Sequence, residues 1–211
     1  SVTLDPFNFK INVKTIGTDL IHRDKIIEIE TIKSKISIKT FFKDKFFLSE
    51  ISISTKSLVI KDLITFIRLL NNDPKLFFAE KFIKKGYIVA DLKLEFDDTG
   101  NIIKNYRFNG LVKDGKINLF KKYDLDKIDF IFEIDEKTLK FNDIKFNLNN
   151  NKVLIPELTA SKNDTEYLIL GNLNTKNSRF TKNEINNFLN DDFLQMDIQE
   201  MLFSSKNYFK F

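Results

Sequence analysis

One pattern governs what this chain can become: apolar residues recur at every second position, in segment after segment. Residues 137–160, KTLKFNDIKFNLNNNKVLIPELTA, display it plainly. Leu139 and Phe141 sit two apart. After a short break Ile144, Phe146 and Leu148 repeat the spacing, with Lys140, Asp143, Lys145 and Asn147 between them. Successive side chains of a strand point to opposite faces, so such a stretch makes a strand with one oily and one wet face.

The same reading extends along the chain. Phe7, Phe9, Ile11 and Val13 alternate, then Ile27 and Ile29, Ile36 and Ile38, Phe47, Ile51 and Ile53, Leu58 and Ile60. From Tyr87, Ile88, Ala90, Leu92, Leu94 and Phe96 alternate against Asp91, Lys93, Glu95 and Asp97. Asp98-Thr99-Gly100-Asn101 reads as a turn, and Asp114-Gly115 as a hairpin signal. Tyr106, Phe108 and Val112 line a strand before it, and Ile117 and Leu119 follow it. Ile128, Phe130, Phe132 and Ile134 form the next strand, and Val153, Ile155 and residues 166–174 supply the last ones.

Helical spacing interrupts this in two places. Leu63, Ile64, Ile67 and Leu70 fit a helix over 61–70. Asp73-Pro74 then opens a second helix, with Phe77, Phe78, Phe82 and Ile83 on one face and Gly86 as its stop. Lys81, Lys84 and Lys85 suit its C-terminus and leave a membrane-touching surface open as a reading beside core packing. Thr181 with Glu184 matches a capping box, and a helical C-terminal segment is expected over about 181–203. Strands follow strands directly, so the expected fold is a mainly β, antiparallel meander of about ten or eleven strands.

Composition closes several functional classes. The 211 residues are 42% hydrophobic and 30% charged, which fits neither a disordered chain nor a membrane-embedded one. The +4 excess of 34 basic over 30 acidic residues is spread out, not gathered into the stripe that nucleic acid needs. Without cysteine there is no thiol nucleophile, disulfide or thiolate metal site. His22, the single histidine, has no partner for catalysis or metal binding. Asp124, Asp126, Asp129, Glu133, Asp135 and Glu136 fit a wet face and its turns better than an acid pair or a Ca²⁺ loop. The expectation is a protein that is not an enzyme and uses no metal or cofactor. The start carries no initiator Met or signal-like segment, so the sequence reads as a single repetitive section of a longer chain.

What covers the oily face? Burying one Leu, Ile or Phe yields about 1.5–3 kcal/mol, so a bare face over several strands forgoes roughly tens of kcal/mol. Net domain stability is only about 5–15 kcal/mol, so a cover exists. A second sheet could pack on it as a sandwich, the sheet could close into a barrel, or an open trough could be completed by apolar ligand. Periodicity is the same in all three, and packed sandwiches and barrels are the commoner solutions.

Two stretches carry a resemblance. LSEISISTKSLVIKDLITFIRLL, residues 48–70, runs from strands into an amphipathic helix. Residues 86–174 repeat a Gly-led strand, a "DDTG" turn, "NGLVKDGKINL" and an "L-x-F-x-D-I-x-F-x-L" step. Together they resemble the AsmA-like family, the TamB and YhdP type of bridge-like lipid transfer proteins of the bacterial envelope. The resemblance implies an elongated, taco-like open β-groove that shields phospholipid acyl chains between inner and outer membranes. It also implies a periplasmic location and an inner-membrane anchor helix upstream of this sequence. Ile88, Leu92, Leu94, Phe96, Tyr106, Phe108, Phe130, Phe132, Phe146 and Leu148 would then contact acyl chains. The alternative expectation is a structural or adhesive β-sandwich with a dry core and no lipid.

Overall fold

A computed structural model describes residues 1–22, 25–38, 48–70, 74–97, 99–103, 105–119, 123–148, 151–163, 166–182 and 200–210. The strands are β1 (Val2–Asp5), β2 (Lys10–His22), β3 (Lys25–Ser37), β4 (Leu48–Thr55), β5 (Leu58–Val59), β6 (Ile83–Glu95), β7 (Arg107–Leu119), β8 (Tyr123–Ile134), β9 (Thr138–Leu148), β10 (Asn151–Asn163), β11 (Glu166–Thr181) and β12 (Glu200–Lys210). Two helices, α1 (Ile60–Leu70) and α2 (Pro74–Phe82), lie between β5 and β6. All twelve strands join one antiparallel sheet in the order β1-β2-β3-β4-β6-β7-β8-β9-β10-β11-β12, with β5 paired to β6. The sheet is open, with β1 and β12 at its two ends. The expected meander is therefore present. Every described strand belongs to this one open sheet, whereas the sandwich alternative expects two.

Register puts the apolar positions on one face. Ile53, Leu92, Phe108, Ile134 and Leu139 are successive partners across β4, β6, β7, β8 and β9. Ala90, Gly110, Phe132, Phe141 and Leu158 form the next row. The buried cluster of Ile27, Ile29, Leu58, Phe66, Ile88, Ala90, Val112 and Phe132 sits on this face.

The strands do not run straight. Asp114, Lys127 and Asp143 have φ of 52°, 50° and 53°, and Gly86 has φ 138°. The ladders shift register beside each of them, and again near Pro156 between Leu154 and Leu158. Asp114, Lys127, Asp143 and Pro156 each mark an extra residue in their strand, and in β6 the extra residue is Lys84, two before Gly86; each bends its strand and sharpens its twist. They follow one another across β6, β7, β8, β9 and β10, so the sheet is creased along its stacking direction with the apolar face inside. Gly86 has to be glycine. A Cβ there would meet Ile60 Cδ1 at 2.9 Å and the Gly115 Cα at 3.0 Å.

Four sequence readings need correction. Phe7 and Phe9 do not share a strand with Ile11 and Val13: β2 starts at Lys10, residues 6–9 form the turn before it with Phe9 at φ 51°, and both rings are exposed. Asp114-Gly115 is not a hairpin but one of these bulges inside β7, which runs on to Leu119. The second helix ends at Phe82, so Lys84, Lys85 and Gly86 belong to β6. Thr181 closes β11 and residues 200–203 open β12; residues 183–199, including Glu184 of the expected capping box, lie outside the described residues.

Candidate functional site

α1 explains where a site can exist. Asp62 in its first turn and Arg68 in its last suit the helix dipole. Ile64 and Phe66 are buried, and the helix rests on β3, β5 and β6. It does not fill the concave face. Beneath it runs a cavity of ≈ 420 Å³, lined by Leu20, Ile27, Ile29, Ile53, Thr55, Leu63, Phe66, Ile67, Ala90, Leu92, Tyr106, Phe108 and Ile134. Among the described residues, Thr55 and Tyr106 are the only polar residue types on that wall. The Thr55 hydroxyl already accepts the Ala90 N–H at 2.9 Å.

The walls come from β2, β3, β4, β6, β7 and β8, with Tyr106 immediately before β7 and with α1 as roof. The lining residues of these strands fall largely in one cross-strand row, from Leu20 and Ile27 to Ile53, Leu92, Phe108 and Ile134, so the cavity lies across the strands. Its volume is inside the range of about 300–1,000 Å³ typical of ligand clefts.

The ten residues expected to touch acyl chains share the apolar face but not one environment. Leu92, Tyr106 and Phe108 line the trough. Ile88 and Phe132 are 8% and 3% exposed and belong to the packed core. Phe130 packs against that core, with ring centroids 6.2 Å from Phe132 and 5.8 Å from Phe141. Leu94 and Phe96 are half-buried toward the far end of β6. Phe146 and Leu148 are half-buried on β9, in an apolar face that continues through Val153 and Ile155 of β10. Sequence reasoning named none of Leu20, Ile27, Ile29, Ile53, Leu63, Phe66 or Ile67 as contacts, although their alternation or helical spacing was visible.

The opposite face is held by charge pairs. Glu50 sits between Lys35 at 2.9 Å and Lys93 at 3.2 Å, and Lys93 also reaches Glu95 at 2.9 Å. Burial pushes the Glu50 carboxyl up, but hydrogen bonds from Lys35 and Lys93 outweigh it and hold its pKa below the usual value. The same balance holds for Asp129, where burial is outweighed by the Asp114 N–H and by Lys113, each at 2.9 Å. A hollow of ≈ 630 Å³ lies against this charged side, walled by Arg107, Asn109, Glu133 and Asp135 among others. Leu111 and Ile131 lie between these polar groups, so its wall is mixed, unlike the almost wholly apolar wall under α1. Among the described residues no group of three or more His, Asp or Glu is placed to hold a metal ion. No described helix is long and apolar enough to cross a membrane.

No family model, curated protein or solved structure matches this chain. The AsmA-like resemblance therefore stands on the strand, turn and helix pattern alone.

Proposed function

We propose that the chain is a non-enzymatic lipid carrier whose apolar trough shields acyl chains while headgroups stay in water. One observation carries this reading: a continuous apolar face, one sheet deep, roofed over only part of its length and hollow beneath the roof. An open single layer leaves one apolar face without a full protein cover, and a lipid ligand would supply part of that cover.

Size supports a tail as the occupant. An apolar cavity of about 150 Å³ takes one benzene, roughly 25 Å³ per carbon. By that measure ≈ 420 Å³ holds roughly sixteen carbons. That suits one acyl chain per section of trough. In the wider setting implied by the AsmA-like resemblance, the chain would be one section of a periplasmic path for phospholipid between inner and outer membranes. Its partners would then be the lipids and those two membranes, with no nucleic acid involved.

Native mass spectrometry of protein purified from cells tests the core of this. Phospholipid or fatty acid should co-purify, and Ile67→Lys should release it. Ile67 lines the trough yet is 38% exposed, so the fold tolerates the lysine. A stable wild-type protein that carries no lipid would remove the proposal.

A further inference from the structure

The meander sends its connections alternately to the two ends of the strands. One end carries the β2–β3, β7–β8 and β9–β10 turns and both helices. There the charge is uneven. Lys61, Lys81, Lys84 and Lys116 make no ion pair among the described residues; against them stands one exposed carboxylate on the helices without a pair, Asp62, whereas Glu80 is taken by Arg68 and Asp114 by Lys85. Lys85 and Lys116 are register partners, and α2 packs against β6 and β7 beside them. Lys84 Nζ donates to the Lys81 carbonyl at 2.7 Å, which keeps its ammonium at the last turn of α2.

Beside these lysines α2 exposes two aromatic rings. Phe77 is 50% and Phe78 55% exposed, although each is large enough to gain from burial. Their centroids are 5.9 Å apart, and Phe78 stacks on Phe82 at 6.4 Å, so they form one contiguous patch. α2 has no apolar stripe along its length, but this local patch of exposed aromatics beside lysines without an ion pair suits the boundary of an anionic bilayer. There rings enter the acyl edge and ammonium groups meet headgroup phosphates. A soluble acidic partner would meet the lysines but would leave the rings wet.

We propose that α2 and the lysines around it dock this end of the sheet onto an anionic lipid surface. The purpose of the contact, passing a lipid into the trough, rests on the carrier reading above; the docking itself rests on Phe77, Phe78 and the lysines. Flotation with vesicles of phosphatidylcholine, alone or mixed with phosphatidylglycerol, tests it. Wild-type protein should float with the mixed vesicles only, and about 1 M salt should release it, since the screening length there is about 3 Å. The pair Lys81→Gln and Lys84→Gln should weaken vesicle partition roughly thirtyfold. The pair Phe77→Ser and Phe78→Ser should weaken it at least about tenfold, with circular dichroism unchanged. Equal binding to neutral and anionic vesicles, no binding to either, or folded variants that bind like wild type would overturn the proposal. Co-purified lipid separates the two ideas. The lysine pair should leave it unchanged, and vesicle binding by a protein that carries no lipid would sink the carrier reading while docking stands.

Discussion

Gly110 and Phe132 face each other across the β7–β8 ladder, and the ring tip of Phe132 stands 3.0 Å from where a Gly110 Cβ would be. The ring lies over the glycine and packs against Phe108, with centroids 4.9 Å apart. The same Cβ position is 2.2 Å from the Val89 carbonyl oxygen. Gly110→Ala should therefore lower unfolding free energy by about 2–4 kcal/mol in chemical denaturation. Adding Phe132→Leu should not restore it, because the tighter obstacle is backbone. Full rescue by the second change would show that the ring, not Val89, sets the requirement.

Phe132 and Leu94 separate core from lining. Phe132→Asp buries an unpaired carboxylate at a 3% exposed position and should abolish cooperative thermal unfolding. Leu94→Lys, at a half-buried position, should leave a folded protein with less co-purified lipid, read by native mass spectrometry. A cooperative Phe132→Asp protein would move that residue from the core to the lining.

Glu50 gives the acid limb of stability. Its folded pKa is lowered, so its contribution is present above the ordinary value of 4.5 and is lost as pH falls through the folded value. Below about pH 4.5 the wild type should lose stability faster than Glu50→Gln, seen as converging denaturation midpoints. Parallel acid limbs would mean that Lys35 and Lys93 give the carboxylate no net advantage.

Glu80 ties the two helices together. It accepts from Thr65 Oγ1 at 2.8 Å and pairs with Arg68 at 3.1 Å. Glu80→Ala should cost about 1–3 kcal/mol locally. Hydrogen exchange should quicken in α2 while amides of β7 and β8 keep their protection. Uniform loosening of the sheet would show that the helices support the whole fold.

Much of this was legible. Alternation placed Ile144, Phe146 and Leu148 on one face, and the break before Ile144 is the Asp143 bulge. The same slip from two to three marks Leu125 to Ile128 and Ile155 to Leu158, so most of the crease was written in spacing. Asp114-Gly115 was misread because a left-handed residue serves a hairpin or a bulge equally well. The choice depends on which strands pair, and that is settled by residues far along the chain. The trough was harder still. Its walls join Leu20 and Ile27 to Phe108 and Ile134, and only the assembled sheet with α1 above it makes them neighbours.

The bulges also act as phase shifters. Deleting Lys145, a residue outside the bulge, would leave Leu139, Phe141 and Ile144 facing inward but turn Phe146 and Leu148 out and bring Asn147 in, whereas deleting Asp143 together with its bulge would keep all five apolar residues on one face. A whole hairpin gained or lost at a turn would change only the length of the trough. In such a fold the count of strands is free to drift, while single-residue insertions and deletions within strands are held fast.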